Sequence, residues 1–179
     1  MTNPPDPSTP QASAAIDPDL AAIAREVFDL ARGGDAAMLA KVIAKGVPPN
    51  LRNEKGDGLL MLASYHGHTD AVRTLLEHGA DPNLFNDKGQ SPIAGAAFKG
   101  YKEVIETLLA HGADVEGASA DGRTALMIAA MFNRIEIIEL LVAKGANPAA
   151  RDVTGLTALD GAQKMGAADA AALLSKLQV

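Results

Sequence analysis

The stretch Asp87-Lys-Gly-Gln-Ser-Pro-Ile-Ala-Gly-Ala-Ala-Phe-Lys-Gly-Tyr-Lys-Glu-Val-Ile-Glu-Thr-Leu-Leu-Ala-His-Gly-Ala-Asp114 decides the fold, because the chain copies its punctuation on both sides. Gly56, Gly89, Gly122 and Gly155 stand 33 residues apart, as do Gly46, Gly79, Gly112 and Gly145. A third set in the same period is Gly34, Gly67, Gly100 and Gly166, with Asn133 in the remaining place. Three glycine phases sharing one period mark a stack of similar supersecondary units, each burying its apolar face against the next.

Apolar columns run through the same period. Met38, Ala71, Val104 and Ile137 form one, Leu39, Val72, Ile105 and Ile138 a second, and Val42, Leu75, Leu108 and Leu141 a third. Their spacing is that of one buried helix face. Another helix in each unit carries Leu60, Ile93, Leu126 and Leu159, beside the small column Ala63, Ala96, Ala129 and Ala162. That small column lets neighbouring helices approach closely. Ser91, Thr124 and Thr157 supply N-cap hydroxyls, and Pro92 follows at the first helical position, where its fixed φ is suited. Gly58 replaces the hydroxyl in the second unit, so that helix start is expected to be the weakest. His78-Gly79-Ala80-Asp81, His111-Gly112-Ala113-Asp114 and Lys144-Gly145-Ala146-Asn147 end the second helices, with an extended, turn-rich finger after each.

Upstream, Leu20 to Ala31 reads as a helix from Leu20, Ile23, Val27, Phe28 and Leu30, opened by Asp17-Pro18 and closed by Gly33-Gly34. Asp35 to Lys45 is a second, with Met38, Leu39, Val42 and Ile43 inward. Residues 1–18 hold Pro4, Pro5, Pro7 and Pro10 among small polar residues and are expected to be a disordered tail. Pro7-Ser-Thr-Pro10 matches PxxP, but a plain linker is the better reading.

These residues resemble the ankyrin repeat, over residues 20–179. The Thr-Pro-Leu-His of that family stands here as Gly58-Leu-Leu-Met61, Ser91-Pro-Ile-Ala94, Thr124-Ala-Leu-Met127 and Thr157-Ala-Leu-Asp160, without the histidine each time. The resemblance implies an all-α solenoid of about five stacked helix-turn-helix units with β-hairpin-like fingers. It divides residues 19–179 into repeats at roughly 20–52, 53–85, 86–118, 119–151 and 152–179, the first and last being caps. The missing histidine, to which the family assigns hydrogen bonds between repeats, places that network in question while leaving the fold specified. Alanine-rich and free of cysteine, the chain is similar to small bacterial ankyrin proteins, which include inhibitors and protective partners of enzymes.

Composition agrees with a stack. The 179 residues are 47% hydrophobic yet only 3% aromatic, too few large rings for one ordinary core but sufficient for closely packed Ala and Leu. The net charge is −6 with Lys and Arg scattered singly, which argues against a nucleic-acid partner. No run approaches the roughly 18 apolar residues of a membrane span, and no signal-peptide pattern opens the chain, so a soluble, cytoplasmic protein is expected.

Candidate chemistry is sparse, and no cofactor or metal is expected. Within His66, His68 and Asp70 the successive residues are two apart and do not face each other on a helix, and Gly67 breaks the helix between them. His78 and His111 lie one repeat apart, about 8–10 Å if their helices pack, which is too far for one metal at about 2 Å. Ser64 near His66 and Asp70 lacks the arrangement of a triad, and Glu103, Glu106, Glu136 and Glu139 read as a solvated face.

The exception is a row before each mid-repeat glycine. It comprises Arg32 and Gly33, Tyr65 and His66, Phe98 and Lys99, Met131 and Phe132, and Lys164 and Met165. The resemblance places these positions on a concave surface, and three of the six aromatics fall there. Exposed large apolar groups in a row mark interaction surfaces. The expected partner-binding set is therefore Tyr65, Phe98, Lys99, Met131, Phe132 and Lys164, flanked by Arg52, Lys55, Phe85, Lys88, Arg123 and Arg151 on the fingers. The reading that follows is a non-enzymatic module, monomeric when free, that binds another protein as adaptor or inhibitor. A self-assembling module and an enzyme with a small-molecule site are the alternatives. Polar residues in the last repeat argue against the first, and the missing catalytic constellation against the second.

Overall fold

The computed structural model describes residues 18–177, with side chains from residue 22 onward. The proline-rich tail, the Asp17 cap and the Leu20 side chain lie outside the described residues. Ten helices follow in pairs: α1 (Pro18–Gly33) with α2 (Ala36–Ala44), α3 (Leu59–His66) with α4 (Thr69–Glu77), α5 (Pro92–Lys99) with α6 (Lys102–Ala110), α7 (Ala125–Met131) with α8 (Ile135–Ala143), and α9 (Ala158–Lys164) with α10 (Ala168–Leu177). Odd-numbered helices stack on one another to form an inner layer, and even-numbered helices form an outer one.

These helices are seven to ten residues long apart from α1, too short to be stable alone, so packing must hold them. Ala63, Ala96, Ala129 and Ala162 are all 0% exposed, which is the close approach of inner helices that their size permits. Leu39, Val72, Ile105 and Ile138 are buried without exception behind them. The terminal repeats depart from the columns. Met38 is 39% exposed rather than inward, Val42 is only half-buried and Ile23 is 52% exposed, because α1 and α2 meet a neighbouring repeat on one side only. Leu159 is half-buried for the same reason at the other end.

The caps follow the sequence closely. Ser91, Thr124 and Thr157 each accept from the backbone N–H three residues on, and Thr157 forms a reciprocal capping box with Asp160. Gly58 caps α3 with no side-chain hydrogen bond. Asn133 holds a φ of 55°, the left-handed geometry of the glycine column it completes. Its side chain does more than glycine could: Oδ1 accepts from Ala170 N at 2.9 Å and Nδ2 donates to Asp169 Oδ2 at 3.1 Å, tying α7 to the start of α10.

The fingers are tight hairpin turns. Asn53 N donates to Asp57 O, Asn86 N to Gln90 O, Ser119 N to Arg123 O and Asp152 N to Leu156 O, each at 3.0 Å, and one isolated antiparallel bridge joins Arg52 and Gly58. A second ladder runs between repeats. Asn50 Oδ1 accepts from Asp81 N at 2.7 Å, Asn83 Oδ1 from Asp114 N at 2.8 Å and Glu116 Oε1 from Asn147 N at 2.7 Å, all at the same step of the period. With His68 Nε2 donating to Arg32 O at 2.7 Å and Arg134 Nε to Phe98 O at 3.1 Å, these bonds join repeats without the absent family histidine.

Candidate partner-binding surface

The inner helices α3, α5 and α7 present their last turns on one face, beside the fingers. Tyr65 and Phe98, one period apart, stack with ring centroids 6.2 Å apart and planes 9° from parallel. Phe98 meets Phe132 edge-on at 4.5 Å and 85°. The three rings thus form one contiguous ladder across three repeats. Tyr65 and Phe132 are each 37% exposed, with Phe98 half-buried between them. Lys99 Nζ lies 4.8 Å from the Tyr65 ring centroid and 5.8 Å from that of Phe98, so the ladder carries a cation held over its faces.

Met131 departs from this row. It is half-buried, and its Cγ lies where a Cβ on Gly161 would come within 3.1 Å, so it packs between α7 and α9. A strict period continues the row from Phe98 to Met131, whereas the ring that extends it is Phe132. Lys164 is exposed further along, on α9.

Among the finger residues, Arg52 is held by its own neighbours. Its Nε donates to Gly56 O at 2.9 Å, and its Nη2 to Phe85 O at 3.1 Å and Asp87 Oδ1 at 2.8 Å. Phe85 is half-buried. Arg151 Nη1 donates to Gly155 O at 2.6 Å, and Arg123 Nε lies 3.2 Å from Asp121 Oδ2. Lys55 and Lys88 are exposed and have no ion-pair partner among the described residues.

Two hollows lie side by side on this face. The first, about 870 Å³, carries Arg25, Arg32, Arg52, Lys55 and Lys88 against Glu54 and Asp57. Arg32 is paired with Asp29 and Arg52 with Asp87, so Arg25, Lys55 and Lys88 are the cations without an ion pair among the described residues, a slight local excess over Glu54 and Asp57 on a chain whose net charge is −6. The second, about 400 Å³, is walled by Met61, Tyr65, Phe98, Ile128 and Phe132, with Lys88 and the ion pair of Arg123 and Asp121 also lining it. Met61, Tyr65, Lys88 and Gln90 line both, so the two are continuous. His66, on the wall of the first, is held below its ordinary pKa of 6.5 by partial desolvation, then by His68, Lys99 and Arg32.

The remaining histidines are occupied. His78 Nδ1 donates to Thr74 O and His111 Nδ1 to Thr107 O, both at 2.8 Å, so each ties down the end of its own helix. Among the described residues no cluster of three or more His, Asp or Glu side chains is placed to hold a metal, and no helix is long and apolar enough to cross a membrane.

Stacked helix pairs with protruding turns, cross-linked at one period and offering a continuous inner face, define an α-helical repeat solenoid. The family model described as ankyrin repeats (3 copies) matches residues 28–119 and 115–178, and the chain belongs to the ankyrin-repeat family. It is similar to an ankyrin repeat protein of Pseudomonas aeruginosa, 53% identical over 58 residues. That alignment covers 32% of this chain and 34% of the relative, so the chain matches about a third of the relative's length. Ankyrin repeats generally mediate protein–protein interaction and are generally not enzymes.

Proposed function

We propose that this chain is a non-enzymatic binding module that holds a partner protein against its inner face and fingers, as an adaptor or as an inhibitor that covers the partner's working surface. The observation that carries this reading is the ladder Tyr65–Phe98–Phe132, three rings in mutual contact whose outer members stay partly open to solvent. An aromatic row left wet forgoes burial that a partner can provide, and such anchors dominate interfaces at about 2 kcal/mol or more each. The cation excess beside the ladder favours a partner that presents carboxylates. Tyr65, Phe98 and Phe132 are the anchors, Lys99, Lys55 and Lys88 the steering charges, and Arg52, Arg123 and Arg151 contribute mainly by shaping the fingers.

The test replaces Tyr65, Phe98 and Phe132 together by Ala and compares capture of the partner from the native host. Loss of capture is expected with the helical circular-dichroism spectrum intact. The rings also stack on one another, worth about 0.5–1.5 kcal/mol per pair, so a modest drop in thermal midpoint accompanies the change. Undiminished capture by the folded triple variant would move the binding surface to another face, with the outer helices next to be tested.

A further inference from the structure

Position 95 is where the inner face breaks its own pattern. At 33-residue steps the chain has Leu62, Gly95, Ile128 and Gly161, alternating large and absent side chains. Both glycines sit inside helices without left-handed backbone, so neither is there for its conformational freedom. Glycine in a helix interior lowers stability relative to alanine, so each calls for a steric or functional reason.

Gly161 has a steric one, since Met131 Cγ would lie 3.1 Å from an added Cβ. Gly95 has none. The nearest atoms to a Cβ there are Met61 Sδ at 3.5 Å and Tyr65 Cδ2 at 3.6 Å, ordinary van der Waals contact. Alanine would fit, and the helix would be better for it. What glycine leaves instead is depth: Gly95 lines the 400 Å³ hollow, with Met61 and Tyr65 on one side and Phe98, Ile128 and Phe132 on the other.

Resting on the reading of the inner face as a partner surface, we propose that Gly95 is the floor of a specificity pocket that takes one bulky apolar side chain from an acidic segment of a partner protein. The walls are apolar on both sides, which suits a Leu or Phe side chain. Lys88 lies on the lip shared with the first hollow, Lys99 hangs over Tyr65, and the one lining carboxylate, Asp121, is paired with Arg123, so carboxylates flanking the inserted side chain meet net positive charge as it enters. The alternation of Leu62 and Ile128 around Gly95 restricts such depth to this one repeat step, which fixes the register of the bound segment.

The experiment uses the full chain and fluorescein-labelled peptides of Asp, Glu and Ser carrying a single central Leu, or Ala in its place, with affinity read by fluorescence anisotropy. The Leu peptide is expected to bind at least about tenfold more tightly than the Ala peptide, the difference that burial of the larger side chain supplies. Gly95→Leu fills the floor and should erase that preference. Gly95→Ala should reduce it about fourfold, one methylene's worth, while raising the thermal midpoint by about 2–4 °C. If Gly95→Leu fails to fold, Gly95→Ala alone decides. Equal binding of the two peptides, no saturable binding by either, or an unchanged preference in the Gly95 variants overturns the pocket. A native-host partner lost by the triple aromatic variant but kept by both Gly95 variants leaves the partner-surface reading standing and removes the pocket. A partner kept by all of them removes the reading itself.

Discussion

Ser64→Ala should make this protein more stable. Ser64 lies on α3, is 0% exposed, and its Oγ has no hydrogen-bond partner. The equivalent positions in neighbouring repeats are Ala31, Ala97 and Ala130, each also 0% exposed, so the site is built for a methyl group. An unpaired hydroxyl out of water costs about 1–3 kcal/mol, which its removal recovers. Against this stands the void left by one oxygen, roughly 10–15 Å³ at about 24 cal/mol per Å³, or about 0.3 kcal/mol. Alanine adds a few tenths through helix propensity, which offsets the void and leaves a net gain of about 1–3 kcal/mol. In urea the midpoint should rise with an unchanged slope, and the thermal midpoint should climb by about 2–12 °C. A variant that is less stable than the parent would show that the hydroxyl is bonded after all, to the Leu60 carbonyl one turn back or to an internal water.

Asn133 joins a left-handed turn to a helix cap, and two substitutions separate the roles: Asn133→Gly keeps the turn and should lose only the bonds to Ala170 and Asp169, about 1 kcal/mol, whereas Asn133→Ala adds backbone strain for about 2 kcal/mol or more. Equal losses in thermal melts would mean that the turn geometry contributes nothing. The C-terminal repeat should also be the acid-sensitive one. Asp152 is held below its ordinary 3.8 first by the Thr154 hydroxyl and the Leu156 amide, and Asp160 by the Thr157 amide and hydroxyl. Because both folded pKa values are depressed, the stability they contribute is complete above the unfolded value near 3.8 and disappears as pH falls through the folded ones. Urea midpoints should therefore decline as pH falls below about 4, and because both carboxylates are open to solvent their share is small; Asp152→Asn with Asp160→Asn should flatten part of that decline, and an unchanged decline in the double variant would assign it to other carboxylates.

What could be read from the sequence depended on whether a position's role repeats. The buried columns and the Asn133 turn are legible because every repeat presents the same geometric demand, and a residue that meets it returns at the same step. Met38 and Leu159 occupy the right columns yet stay partly open, because a column implies burial only where a repeat lies on both sides. The Asn50, Asn83 and Glu116 ladder shares the period, but its signal is faint. Asn in a turn serves its own backbone equally well, and Glu116 reaches the next repeat with a longer side chain from the same place.

On the surface the period alone is not enough. The sequence marks Met131 and Phe132 together as the pair that follows Phe98, and of the two it is Phe132 whose ring meets Phe98. The cause lies one repeat further on. Gly161 offers Met131 a place to pack, so that flexible side chain turns toward α9 and leaves the contact with Phe98 to Phe132. Gly95 offers the same kind of space to Tyr65, but a rigid ring leans over it without filling it, and the hollow stays open. Two glycines in the same column thus have opposite consequences, decided by the stiffness of the residue that each faces. A repeat sequence specifies its scaffold through what recurs, and specifies its binding face through pairings across repeats that no single column contains.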